Sequence, residues 1–102
     1  MARFDVYIYS SKSVPLVLDV QADLLSELAT CVVIPLVPES SAQKEVASRL
    51  KPVIRIQDKN YILMTTDIAA VTRKSLGVFV VNIEKTHRQD IVEALDFLLQ
   101  GF

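Results

Sequence analysis

Few side chains in this 102-residue chain have the types and spacing that chemistry needs. There is one histidine, His87, and one cysteine, Cys31. That count is too small for a tetrahedral structural zinc site. His87 falls in the first turn of a terminal helix, and no residue at a fixed spacing orients it as a general base. It reads as a solvated side chain. Cys31 sits in the apolar run CVVIPL, where a thiol behaves as a small hydrophobe and burial keeps it inert. The two glycines, Gly77 and Gly101, cannot build a glycine-rich phosphate cradle.

The carboxylates give one further possibility. Asp19 and Asp23 lie close together in sequence, and Asp67 follows Met64, Thr65 and Thr66. If the strand ends converge, Asp19 or Asp67 pairs with Arg55 or Arg73. Isolated acids with no partner spacing support an ion pair rather than acid–base catalysis. Thr65, Thr66 and Asp67 read as a turn in which the acid bonds nearby backbone. No catalytic constellation emerges, and no metal or cofactor is implied. The residues point to a binding protein rather than an enzyme.

Composition narrows the partner. Hydrophobic residues make up 51% of the chain and charged ones 23%, as in a globular domain, and the length fits a single domain over 1–102. Eleven Lys and Arg against twelve Asp and Glu give a formal charge of −1. The basic residues, such as Arg3, Lys12, Lys44, Arg55 and Arg73, are scattered. Direct, sequence-independent nucleic-acid binding needs a basic surface, so a protein or small-molecule partner is favoured. VVIPLV is far too short to cross a membrane. MARFDVYIYSS lacks a secretory pattern, which makes the cytoplasm the expected location, and a lone cysteine agrees with a reducing compartment.

Two periodicities organise the chain into a strand-rich body over 1–83 and a terminal helix. In RFDVYIY, Phe4, Val6 and Ile8 alternate with Arg3, Asp5, Tyr7 and Tyr9, which predicts a half-buried strand. PLVLDVQ predicts a second strand, paired with the first across the polar loop SSKSVP. ADLLSELAT allows a short helical turn, and adjacent Leu24 and Leu25 cannot both face the core. CVVIPL is β-branched and apolar, as a central strand should be. Pro35 then belongs at a bulge or an unpaired position. Residues 37–50 read as a long loop. PVIRIQ and NYILMTT flank a hairpin turn at Asp58 and Lys59, and IAAVT and GVFVVNI complete about seven strands. That count suggests a small antiparallel barrel or a sandwich.

The helix is predicted over about 87–100. Thr86 and Gln89 fit a T-x-x-Q capping box. On a helical wheel Ile91, Leu95, Leu98 and Phe102 form one stripe, flanked by Ala94 and Leu99, with Glu93, Asp96 and Gln100 opposite. Phe97 falls on the polar side. Gly101 is placed as a left-handed helix stop, and Phe102 ends the chain with a bulky ring.

DVQADLL (19–25), VVIPL (32–36), PVIRI (52–56), MTTDIAAV (64–71) and THRQDIVEALDFLLQGF (86–102) together resemble the CcdB family of toxins. The match runs in order over nearly the whole chain. The resemblance implies a β-rich α+β fold: a small SH3-like antiparallel barrel with an additional small sheet and one C-terminal helix. It implies the toxin of a type II toxin–antitoxin pair, acting as a homodimer with the terminal helices near the two-fold axis. The target would be the A subunit of DNA gyrase, trapped with cleaved DNA, and the toxin itself would perform no chemistry. A disordered C-terminal segment of the antitoxin would neutralise it. The pair would repress its own operon, so that DNA is reached only through the antitoxin.

Carried over position by position, the resemblance marks Leu24, Leu25, Asp96, Leu99, Gln100, Gly101 and Phe102 as gyrase-binding. One departure stands out. The plasmid-borne branch has Trp before the final Gly, then Ile; here Gln100 and Phe102 take those places. That departure leaves as an alternative a chromosomal relative that keeps antitoxin binding without poisoning, and the shared small barrel leaves a second, a MazF-like endoribonuclease. The segment 77–81, GVFVV, either bears on oligomerisation or packs inward.

Overall fold

The strand-rich reading is realised as one curled antiparallel sheet in the computed structural model, which describes residues 2–9, 14–41 and 48–101. Its strands are β1 (Asp5–Tyr9), β2 (Leu16–Asp19), β3 (Thr30–Pro38), β4 (Val53–Ile56), β5 (Lys59–Leu63), β6 (Ala69–Thr72) and β7 (Leu76–Asn82), followed by helix α1 (Glu84–Gln100). The order is β4-β5-β3-β2-β1-β7, with β6 branching from β3. A half-barrel closed by one helix results, not a sandwich. The smaller sheet is a fork of the main one at β3.

β3 is the hub because its β-branched run can be buried on both faces. One edge pairs with β2, while the other pairs with β6 over Thr30–Val33 and with β5 over Leu36–Pro38. Pro35 lies in the gap between those two partners. Its carbonyl accepts the Met64 N–H at 2.9 Å, so its missing N–H faces the same gap and no ladder bond is lost. The β4–β5 turn is centred on Gln57 and Asp58, one residue earlier than expected. Both have positive φ (50° and 66°), the geometry a two-residue hairpin turn requires, and Lys59 already pairs with Ile56.

Alternation fails in β1. Asp5, Val6 and Tyr7 are all buried, whereas Ile8 is exposed. The pairing with β7 slips after Val6 and again after Tyr7, so strict period-two facing is lost. Gly77 sits at this irregularity, where a Cβ would come within 2.6 Å of the Ile8 carbonyl oxygen. Phe4, fully buried, holds a left-handed φ of 74°. Its N–H bonds the Asp19 carbonyl and its carbonyl accepts from Ile83, while Arg3 and Arg88 stack on its ring at 4.8 and 5.6 Å.

The main core lies between the concave sheet face and α1. Val6, Leu18, Ile34, Leu36 and Ile54 meet Ile91, Ala94 and Leu95 of the helix. A second cluster of Tyr7, Val17, Cys31 and Val33 covers the opposite face. The helix begins at Glu84, earlier than its sequence pattern suggests, and the capping box does not form. Asn82 Oδ1 accepts the Glu84 N–H at 3.0 Å instead. Thr86 Oγ1 bonds back to the Ile83 carbonyl, and the Gln89 amide donates to Glu93. Buried Ile83 pins the chain against Phe4, so the helix starts straight after β7.

Candidate functional site

The end of α1 is an exposed tip. Gly101 takes φ 81° and donates its N–H to the Phe97 carbonyl at 2.9 Å, the left-handed stop expected of it. A Cβ there would meet nothing within 4 Å, so backbone conformation alone demands the glycine. Leu95 is buried and Leu98 half-buried, but Leu99 is 76% exposed and does not flank the core stripe. Ile91, Ala94 and Leu95 are the fully covered residues of the helix, with Val92, Phe97 and Leu98 half-buried beside them. Asp96, Gln100 and Gly101 are also exposed. Phe102 lies outside the described residues. Phe97 is half-buried rather than solvated, with the Arg49 guanidinium 5.4 Å from its ring centre.

Leu24 and Leu25 occupy a 3-10 turn, Asp23–Leu25. Leu24 is 92% exposed and Leu25 44%, so neither packs in the core. Leu28, an exposed leucine three positions on, was not singled out by the sequence; its spacing from Leu25 was the available signal. The tip and this turn are not brought together within one chain. Asp23 Oδ1 accepts the Arg3 N–H at 2.6 Å, beside the Phe4–Ile83 bond where the helix begins. A helix of 17 residues rises about 25 Å, which places the tip at its far end. A third apolar area lies on the edge strand β7, where Val78 is 70% and Phe79 52% exposed.

Titratable groups in the interior offer no activated nucleophile. Burial, then the neighbouring Asp19 carboxylate, push the Cys31 thiol up to about 12, so it is protonated and inert at neutral pH. Burial also raises Asp19, against the opposing help of the Cys31 thiol, the Gln21 N–H and the Arg73 charge. Asp19 is therefore a buried acid facing Arg73, whereas Asp67 is exposed and Arg55 pairs with Asp58 at 3.6 Å. Tyr7 is raised by burial and by its hydrogen bond to Asp5. His87 is not a free solvated residue: its Nε2 accepts the Arg55 backbone N–H at 3.4 Å. Among the described residues no group of His, Cys, Asp and Glu is arranged to hold a metal ion.

A model of the CcdB protein family matches residues 3–101. The chain belongs to the CcdB family. Membership makes it a relative of the toxins of toxin–antitoxin systems. Among solved structures, an endoribonuclease in complex with its cognate antitoxin from a mycobacterial species matches with a TM-score of 0.79. The match covers 97% of this chain and 94% of that one at 16% identity, a likeness of fold. For this CcdB-family chain, no helix among the described residues is long and apolar enough to cross a membrane.

Proposed function

We propose that this chain is a type II toxin that binds the A subunit of DNA gyrase and holds the enzyme with its DNA cleaved. The observation that carries the reading is the exposed apolar tip, Leu99 beside Gln100 and the left-handed Gly101, on a helix anchored by Ile91 and Leu95. A bulky side chain left exposed on an ordered scaffold suits a partner's pocket. Leu24 and Leu25 supply a second contact area, and Asp96 and Phe102 complete the proposed set. The toxin acts in the cytoplasm and does no chemistry.

Two copies acting together fit this reading. The turn and the tip lie apart on one chain, and a two-fold pair would present each area twice to a dimeric target. Val78 and Phe79 on β7 supply apolar area for such a homodimer. A cognate antitoxin, through a disordered C-terminal segment, would cover the toxin and join it in repressing their operon, with DNA contacted only by the antitoxin.

Fold likeness to an endoribonuclease toxin favours a second reading, RNA cleavage. The inert Cys31 and the engaged Nε2 of His87 weigh against it, because neither is free to move a proton. Induced expression in growing cells separates the readings. Gyrase-linked DNA breaks with intact RNA are expected. RNA loss without DNA breaks would support the nuclease, and healthy growth would support a relative that keeps only antitoxin binding.

A further inference from the structure

The loop carrying Leu24 and Leu25 is ordered without being buried. Every residue from 22 to 30 is exposed, so packing cannot hold it. Hydrogen bonds do: beside the Arg3 N–H on Asp23, they come from the side chains of Arg73, distant in sequence, and of Gln21, just before the loop. Arg73, in the 3-10 turn Arg73–Ser75 between β6 and β7, donates from Nε to the Leu28 carbonyl at 2.6 Å. A terminal guanidinium nitrogen donates to the Leu25 carbonyl at 3.4 Å, and the Arg73 backbone N–H to Ala29 at 2.9 Å. From the other side Gln21 Nε2 donates to the Leu25 and Thr30 carbonyls, each at 3.2 Å, while its Oε1 accepts the Val32 N–H. Within this frame Ser26 bonds Asp23 and Leu28 bonds Leu25 through the backbone.

We propose that Arg73, with Gln21, is a positioning residue for target binding: it fixes the Leu25 and Leu28 carbonyls so that Leu24 and Leu25 meet gyrase already ordered. This rests on the gyrase reading above and adds the device that presents the second contact area. An exposed loop that must be ordered on binding loses affinity to that ordering, and a frame that orders it beforehand recovers it. The planar guanidinium reaches two carbonyls at once, which an ammonium on a shorter reach cannot reproduce. Arg73 also faces Asp19 and Cys31, so its charge must be kept in any test.

Arg73→Lys keeps the charge and removes the two-carbonyl grip. Gln21→Glu keeps the acceptor for Val32 and removes the donor to Leu25, giving a second route should the lysine variant fold poorly. Calorimetric titration of the purified protein into intact gyrase A subunit is expected to show about tenfold weaker binding for either variant. Hydrogen exchange at the Ser26 and Leu28 amides should accelerate, with the β3 amides and Tm unchanged. In a Leu24→Ala background the Arg73→Lys penalty should shrink, because the residue acts through that side chain. Unchanged exchange, unchanged binding, or a penalty of full size in the Leu24→Ala background overturns the inference while the gyrase reading stands. No binding by the unaltered protein overturns both.

Discussion

Arg55 of β4 donates its backbone N–H to Nε2 of His87 in the first turn of α1, at 3.4 Å. β4 and β7 are the two ends of the sheet, and α1 follows β7, so this bond spans the seam that the curled sheet leaves open. A backbone N–H can only donate, so Nε2 is the unprotonated nitrogen. Nδ1 then donates to Asp90 Oδ2, also at 3.4 Å. The same contact covers part of the β4 edge, which would otherwise offer unpaired backbone to another strand.

His87→Phe keeps the ring's bulk and removes the acceptor. Stability should fall by about 0.5–1.5 kcal/mol, the worth of one such bond. Urea denaturation reads the loss, and hydrogen exchange at Arg55 should quicken. Unchanged exchange there would show that the bond does not close the seam.

Asp19 predicts an acid-side signature. Burial raises its folded pKa above the unfolded value, so the fold disfavours the charged carboxylate. That cost is present above the folded pKa and disappears as pH falls through it. Asp19→Asn keeps an oxygen to accept the Gln21 N–H and should hold or raise stability at neutral pH. Its advantage should shrink on acidification, measured by denaturation at stepped pH. A variant less stable than the unaltered protein at neutral pH would contradict the assignment.

Leu95 and Leu99 lie on one helix and predict opposite phenotypes. Leu95 is buried against the sheet, so Leu95→Ala should cost about 2–5 kcal/mol in thermal or chemical denaturation. Leu99 is exposed, so Leu99→Ser should change stability by no more than about 0.5 kcal/mol. Only the second should remove gyrase binding from a fully folded protein.

On the proposed gyrase reading, Gln100 is the position that separates a strong poison from a weak one. It projects from the last helical position into solvent, with no core role to lose. Gln100→Trp should tighten gyrase binding by at least about tenfold, given what a buried Trp contributes at interface centres. Titration of gyrase A with both forms decides it, and equal affinity would remove this position from the interface.

Much of the architecture was legible in the residues, and the failures have physical causes. β3 was readable because CVVIPL has only one use, a strand buried on both faces, and Pro35 could be placed by its missing donor. The glycine stop at Gly101 followed from backbone preference alone. Thr86 and Gln89 misled because a capping motif specifies a helix start only when tertiary anchors agree, and Ile83 pinned to Phe4 began the helix earlier. Ile8 misled because a slipped register defeats alternation. His87 could not be placed, since its partner lies 32 residues away on a strand that only the curl of the sheet brings near. The leucine turn was legible as a conflict between adjacent leucines, but not the Arg73 frame that resolves it.

The gyrase reading places the poisoning contact at the exposed helix tip. Purified protein incubated with gyrase, supercoiled DNA and ATP, then treated with detergent and protease, tests it most directly. Linear DNA should accumulate with the unaltered protein, rise with Gln100→Trp and disappear with Leu99→Ser. Absence of linear DNA with both the unaltered protein and Gln100→Trp would contradict the account.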